Sequence, residues 1–320
     1  MREFHSFLQP LIRQFIEYRQ ISNKWCPNNE ANLYYFDVFC KNIFSTVNTL
    51  QQEMVDIWCA KRPTETNSSR NCRIFVVKIF VQFLNARGLS SVIPPEYLPE
   101  SPSTYIPHAF TQTELAAFFE ACDSIGLKKK HAWVCKARQI TIPVFFRLLF
   151  SSGIRTNEAR MLRTEDIDLE TGVLSIVYSK GPNQHFVVLH DSMLQLMRNY
   201  DREIRKLIAN RIYFFPTQSN GHYCREWVTD NFDLIWKSCG FGYATAYTLR
   251  HNYATANINR GVSEPEFGSK FTYLSKSMGH STLESTKYYY SLVPEFAGIL
   301  RKTSEASFNE IIPEVDKHED

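Results

Sequence analysis

The sequence predicts a mainly α protein with a small β-sheet, divided into a helical N-terminal domain and a mixed α/β C-terminal domain. Three observations predict it. Apolar residues recur at three- and four-residue spacing through most of the chain, the period of helices with one buried face. Two short runs rich in valine, 173–177 and 185–189, flank a turn-forming stretch, the pattern of a hairpin. Five prolines fall within the fifteen residues 93–107, where neither a helix nor a central strand can form.

In chain order, Phe4, Phe7, Leu8, Leu11, Phe15 and Ile16 make the first helical stripe, and Leu33, Phe36, Phe39, Cys40 and Ile43 the second. Met54, Val55, Trp58 and Cys59 make a third. A fourth begins near Ser68, carries Ile74, Val77, Phe80, Val81 and Leu84, and stops at Gly88. Lys61, Arg62, Arg70, Arg73 and Lys78 lie outside these stripes or at their edges. That arrangement suits a small DNA-clamping module and, nearly as well, an ordinary solvated helical domain. Residues 93–107 read as an extended linker, giving domains over 1–92 and 108–304 and an acidic tail over 305–320.

The second domain opens at Thr111-Gln112-Thr113-Glu114, a capping-box pattern ahead of Leu115, Phe118 and Phe119. An apolar helix over 140–150 is expected to end at Ser151-Ser152-Gly153. Lys180-Gly181-Pro182-Asn183 joins the two predicted strands. Further helices are expected over about 191–208, 227–238, 248–260, 282–290 and 294–308, with a surface loop over 263–274.

Composition removes several classes of function. With 44% hydrophobic residues in 320, the chain can bury real cores and is not mainly disordered. No apolar run approaches the ~20 residues of a membrane span, and the start, Met1-Arg2-Glu3-Phe4-His5, lacks the apolar run of a secretion signal. Eight cysteines without a Cys-x-x-Cys pair fit reduced thiols in a cytoplasm and no metal site. The formal charge is only +3, but 305–320 carry six acids against Lys317, so that this −5 tail leaves a body of +8. Such a body tolerates a polyanion without requiring one. Dinucleotide, phosphate-loop, zinc-protease and serine-hydrolase signatures are missing, and no cofactor is expected.

Cationic and phenolic residues gather at element ends. In Gly153-Ile154-Arg155-Thr156-Asn157-Glu158, Gly153 breaks one helix and Thr156 can cap the next. Arg155 then sits beside a helix N-terminus, unfavourable for a cation unless an anion is bound. Glu158 can orient its guanidinium, although a surface arginine–glutamate pair explains this segment alone as well. Tyr247 and Arg250 share one helical face, while Leu249, Tyr253 and Ala256 can face a core. Gly279-His280 makes a turn, and Ser281-x-x-Glu284 reads as a capping box for a short helix ending in Tyr288-Tyr289-Tyr290.

Together these segments resemble the tyrosine recombinase (phage integrase) family. The resemblance rests on Gly-x-Arg-x-x-Glu at 153–158, Leu-Arg-His at 249–251, Met-Gly-His at 278–280 and a tyrosine nine residues beyond His280. It covers about 108–300 well and the N-terminal domain loosely. It implies a helical core-binding domain and a mixed catalytic domain of that family's type, acting on double-stranded DNA as a homo-oligomer, a tetramer in the synaptic complex. The reaction implied is strand cleavage and rejoining through a covalent 3′-phosphotyrosine, without metal or nucleotide.

The same resemblance assigns roles. Arg155 and Arg250 would hold the scissile phosphate, and guanidiniums are the protein groups best matched to its growing charge. Tyr289 would be the nucleophile, whose phenol needs roughly 4 kcal/mol to ionise at neutral pH unless cations help. His280 would hydrogen-bond the phosphate, and Lys180 would protonate the leaving 5′-oxygen. Tyr247 stands where many members carry a histidine, so the acceptor of the Tyr289 proton stays open among water, a substrate oxygen and His280. Helix geometry places Tyr289 with Thr282, Ser285 and Thr286, a small polar face expected to lie open. The Leu283 side, with Tyr290, is expected toward a core, and Tyr288 remains a competitor. A type IB topoisomerase-like nicking-closing enzyme and a catalytically impaired DNA-binding regulator fit the same motifs. Docking of the C-terminal tail in cis or in trans is open.

Overall fold

Helices α1 (Gln9–Ile21), α2 (Pro27–Ile43), α3 (Gln52–Cys59) and α4 (Asn67–Asn85) build the N-terminal unit. The computed structural model describes residues 2–100, 107–126, 132–177, 184–261 and 266–289. Its contacts divide the chain into two units, Met1–Thr104 and Tyr105–Asp320. In the first unit the predicted stripes converge: Phe15, Ile16, Phe36, Cys40, Met54, Val55, Val77, Phe80 and Val81 share one core. Phe4 and Leu8 belong to it but precede α1. Buried Asp37 ties that segment down by accepting from the backbone N–H groups of His5 (2.6 Å) and Ser6 (3.1 Å).

Two of the bases expected on the surface are structural. Arg70 donates to the Cys59 and Glu96 carbonyls at 2.7 and 3.0 Å. Arg73 pairs with Glu65 at 2.7 Å and donates to the carbonyls of Ala60 and Trp58. Both arginines are buried and join α4 to the end of α3. They are enclosed because α3 ends in unsatisfied carbonyls that only a side-chain donor can reach. The Arg73 hydrogen bond holds the Glu65 carboxyl down at about 2.

The proline-rich stretch has neither helix nor strand over 93–100, as expected. Part of it is bound rather than free. Gln52 exchanges hydrogen bonds with both backbone groups of Ile93 (2.8 and 3.3 Å), and Asn71 does the same with Leu98 (3.0 and 2.8 Å). A segment that cannot build its own ladder has its polar groups satisfied by side-chain amides. Residues 101–106 lie outside the described residues.

The second unit contains α5 (Gln112–Asp123), α6 (Ala132–Ser152), α7 (Thr156–Met161), β1 (Ile167–Asp168), β2 (Val173–Ile176), β3 (His185–Val188), α8 (Asp191–Arg205), α9 (Arg225–Ser238), α10 (Ala246–Gly261), α11 (Phe267–Ser277) and α12 (Glu284–Lys287). The Thr111–Glu114 capping box forms, with reciprocal bonds of 3.1 and 2.8 Å. The strands make an antiparallel sheet in the order β1-β2-β3, with Leu174 opposite Ile167 and Val187. Helix α6 packs against α5, α8 and α10, and Phe118, Phe145, Phe146, Phe232 and Trp236 fill the core.

Several expectations change. β1 is two residues long, too short to show alternation. α6 starts eight residues earlier than expected and continues through Pro143. Residues 267–277, expected within or beside a loop, form α11, whose Phe267, Phe271 and Leu274 recur at helical spacing onto a core that also takes Ala254, Ile258 and Met278 from neighbouring segments. Lys270, Lys276 and Gly268 dilute that stripe in the sequence. Arg155, not Thr156, is the N-cap of α7. The Ser281 capping box does not form: α12 begins at Glu284 with Leu283 as N-cap and no side-chain cap. Lys180, Tyr290, the helix expected over 294–308 and the acidic tail lie outside the described residues.

Candidate active site

Two glycine turns frame the site. Gly153 ends α6 with φ +65°, and Gly279 follows α11 with φ +63°, conformations that cost other residues free energy. Space demands glycine as well. A Cβ on Gly153 would stand 2.2 Å from Tyr253 Cδ1, and one on Gly279 would stand 2.5 Å from His185 Cε1. His185 is the first residue of β3, so the sheet reaches the site against the second turn.

The carbonyls of these turns are held by the two predicted arginines. Arg250, on α10, is 1% exposed and donates to Gly153 O (2.6 Å) and Met278 O (2.7 Å). Arg155 donates to Gly279 O at 2.9 Å and pairs with Glu158 at 2.6 Å. Glu158 also accepts from the Arg155 backbone N–H at 2.8 Å, which explains why the glutamate stands at the third position of α7. Thus α7, α10 and the 278–280 turn are tied into one network. Burial, and then the charge of Arg155, lower the pKa of Arg250. Two guanidiniums meet here, Arg155 paired with Glu158 and Arg250 buried, where charge acts more strongly than in water.

His280 joins the same network. Its Nε2 is 2.9 Å from Arg250 Nη2, and its Nδ1 is 2.7 Å from Thr286 Oγ1. Burial, followed by the charges of Arg250 and Arg155, holds its pKa near 4, so the ring is neutral at physiological pH.

The three tyrosines separate. Tyr289 is 3% exposed, packs in the cluster of Ala254, Phe271, Leu274 and Met278, and lies parallel to the His280 ring at 6.1 Å. Tyr288 is 43% exposed, and Tyr290 lies outside the described residues. Of the face expected to lie open, Thr282 and Ser285 are exposed but Thr286 and Tyr289 are buried, whereas Leu283, expected toward a core, is 47% exposed. The reason is α11, whose apolar stripe provides the surface that the tyrosine covers. Burial raises the Tyr289 pKa, and the adjacent Arg250 charge opposes that rise.

Of the predicted site residues, Arg155, Arg250, His280 and Tyr289 come together. Tyr247 stands on the same face of α10, and its phenol acts on both Arg250 and Tyr289 electrostatically. Lys180 lies outside the described residues, in the segment joining β2 to β3. The Leu-Arg-His motif at 249–251 assigns no task to His251. Its ring packs against Tyr247 (5.0 Å) and Tyr289 (5.4 Å), its Nδ1 is buried without a hydrogen-bond partner, and burial and Arg250 hold its pKa near 4. Thr286, fully buried against His280, was read only as part of a polar face.

Known proteins resemble this chain over most of its length. The model of the phage integrase family matches residues 109–295. The tyrosine recombinase XerC of Staphylococcus saprophyticus is 21% identical over 284 residues, covering 87% of this chain and 89% of that protein. Among solved structures, the XerH site-specific recombinase in a post-cleavage complex with difH substrate superposes with a TM-score of 0.61 at 17% identity, covering 88% of this chain and 78% of that one. The Tn1549 transposon integrase in complex with transposon right-end DNA also gives a TM-score of 0.61, at 14% identity, covering 89% and 95%. These likenesses, at such identities, concern the fold.

Proposed function

The chain belongs to the phage integrase family, and from that premise we propose that it is a site-specific DNA recombinase that cleaves and rejoins strands through a covalent 3′-phosphotyrosine. The observation that carries this reading is the meeting of two guanidiniums, Arg250 buried and Arg155 partly buried, beside the buried phenol of Tyr289. An anion entering between those two guanidiniums would be held by their charge. A phosphodiester is such an anion, and it gains further charge when attacked.

In this reading Arg155 and Arg250 bind the non-bridging oxygens, and Tyr289, giving its proton to water, a substrate oxygen or His280, attacks phosphorus through its phenolic oxygen. The phosphorus–5′-oxygen bond breaks, leaving the 3′-phosphate on Tyr289 and a 5′-oxygen that takes a proton from Lys180 to become a hydroxyl. His280 hydrogen-bonds the phosphate once its Nε2 takes up a proton, and Tyr247 offers a phenolic donor to it. Support for Lys180 comes from His185, the first residue of β3 after the segment carrying that lysine, which lies against the Gly279 turn. Residues 1–92 form the core DNA-binding domain, 93–107 the linker, 108–304 the catalytic domain and 305–320 an acidic tail. Duplex DNA is the partner, recombination proceeds in a homotetramer, and the protein acts in the cytoplasm without a cofactor.

The test begins with DNA captured covalently by the protein in cells, whose sequence supplies the target site. Plasmids carrying one or two such sites then separate the alternatives. Recombinants from the two-site plasmid support the proposal. Relaxation of the one-site plasmid with no recombinants from either would indicate a topoisomerase-like enzyme. DNA that copurifies with the protein while none is captured covalently would indicate a regulator, the alternative that Tyr247 favours.

A further inference from the structure

The hydrogen bonds of His280 fix where its proton sits. Its Nε2 faces Arg250 Nη2 at 2.9 Å. A guanidinium only donates, so Nε2 must be the bare nitrogen. The single proton of the neutral ring is then on Nδ1, 2.7 Å from Thr286 Oγ1, and the threonine hydroxyl is its acceptor. Thr286 belongs to α12 and stands three residues before Tyr289.

Resting on the function proposed above, we propose that Thr286 is a positioning residue that fixes which nitrogen of His280 carries the proton. The short helix that delivers Tyr289 thereby also sets the imidazole beside it. Without Thr286, a proton on Nδ1 would be buried with no acceptor. The ring would shift toward the Nε2–H form, which turns a donor against the donors of Arg250. With it, the Nε2 lone pair stays directed at the guanidinium.

The arrangement responds to substrate. Among the described residues, Arg250, Arg155, Glu158, His185 and Tyr289 are titratable groups that face His280. Both arginines hold its pKa down. A phosphodiester bound by them cancels part of that field, so Nε2 gains basicity as the site fills while Nδ1–H remains on Thr286. An α12 displaced from the site would remove the nucleophile and release the tautomer together.

The test is nitrogen NMR of the full chain labelled at histidine, at pH 7 without DNA, with His280→Asn identifying the resonances. Wild type and Thr286→Ser should show His280 protonated on Nδ1, and Thr286→Val should move it to the Nε2–H form or a mixture. A wild-type proton on Nε2, or an unchanged tautomer in Thr286→Val, would overturn the proposal. Single-turnover cleavage across pH gives the second readout. Thr286→Val should slow adduct formation about tenfold with a shifted profile, while Thr286→Ser stays within about threefold of wild type. Equal slowing by both variants with an unshifted profile would also overturn it. Because the NMR readout needs no catalysis, a tautomer change without any adduct in wild type would leave this proposal standing and remove the recombinase reading.

Discussion

At the scale of single residues, the site is held by groups that cannot be replaced quietly. Gly279→Ala places a Cβ 2.5 Å from the His185 ring and 3.1 Å from Arg155 Nη1, at φ +63°. It should cost about 1–3 kcal/mol of stability and slow adduct formation, as chemical denaturation and single-turnover assays would show. A fully active, equally stable variant would contradict the close packing. Lys180→Ala should slow cleavage of ordinary DNA but act normally on a 5′-thio leaving group, which needs no proton. Failure of that rescue would remove Lys180 from the acid role. Arg155, Arg250, His280 and Tyr289 were legible in the sequence because each sits in a short motif at a set distance from the others. His251 and Thr286 were not. The setting of His251 depends on the rings of Tyr247 and Tyr289 packing against it, and the task of Thr286 depends on the orientation of a ring six residues earlier.

At the scale of elements, most helices were readable because their apolar faces pack and their caps obey local rules, as the Thr111–Glu114 box does. Failures came where a long-range partner decides the outcome. Arg70 and Arg73 were read as surface bases, yet they close the joint between α3 and α4 through carbonyls and Glu65. Arg73→Ala should therefore destabilise the N-terminal unit by about 3 kcal/mol, measured by urea unfolding. An unaltered midpoint would mean that the joint contributes nothing. Helix α11 was missed because its stripe is interrupted by lysines and a glycine, although it carries the surface on which Tyr289 rests. Phe271→Ala, within that surface, should reduce adduct formation even though Phe271 lies in none of the motifs.

For the molecule as a whole, charge and pH dependence are the accessible consequences. If phosphate contacts supply most of the affinity for DNA, binding should weaken steeply as salt rises, in titrations at several ionic strengths. The histidines give a sign for stability. His251 and His280 are held near 4 in the folded chain, against about 6.5 for an exposed imidazole. Between those values the unfolded chain binds more protons, so their contribution is complete above about pH 6.5 and is lost as pH falls toward 4. The melting temperature should drop from pH 7 to pH 5, and His280→Asn should flatten part of that slope. Two-part organisation was visible in the proline-rich stretch, but the strapping of 93–99 onto Gln52 and Asn71 was not, because amide side chains give no sequence sign of their backbone partners.

The most direct measurement is to trap the chain on a nicked suicide substrate carrying the captured site, digest the adduct and map the nucleotide-bearing peptide by mass spectrometry. A phosphodiester link on Tyr289, lost in Tyr289→Phe and retained in Tyr288→Phe, is the predicted result. Attachment to Tyr288, or an adduct surviving in Tyr289→Phe, would contradict a phosphate-centred site built from Arg155, Arg250, His280 and Tyr289.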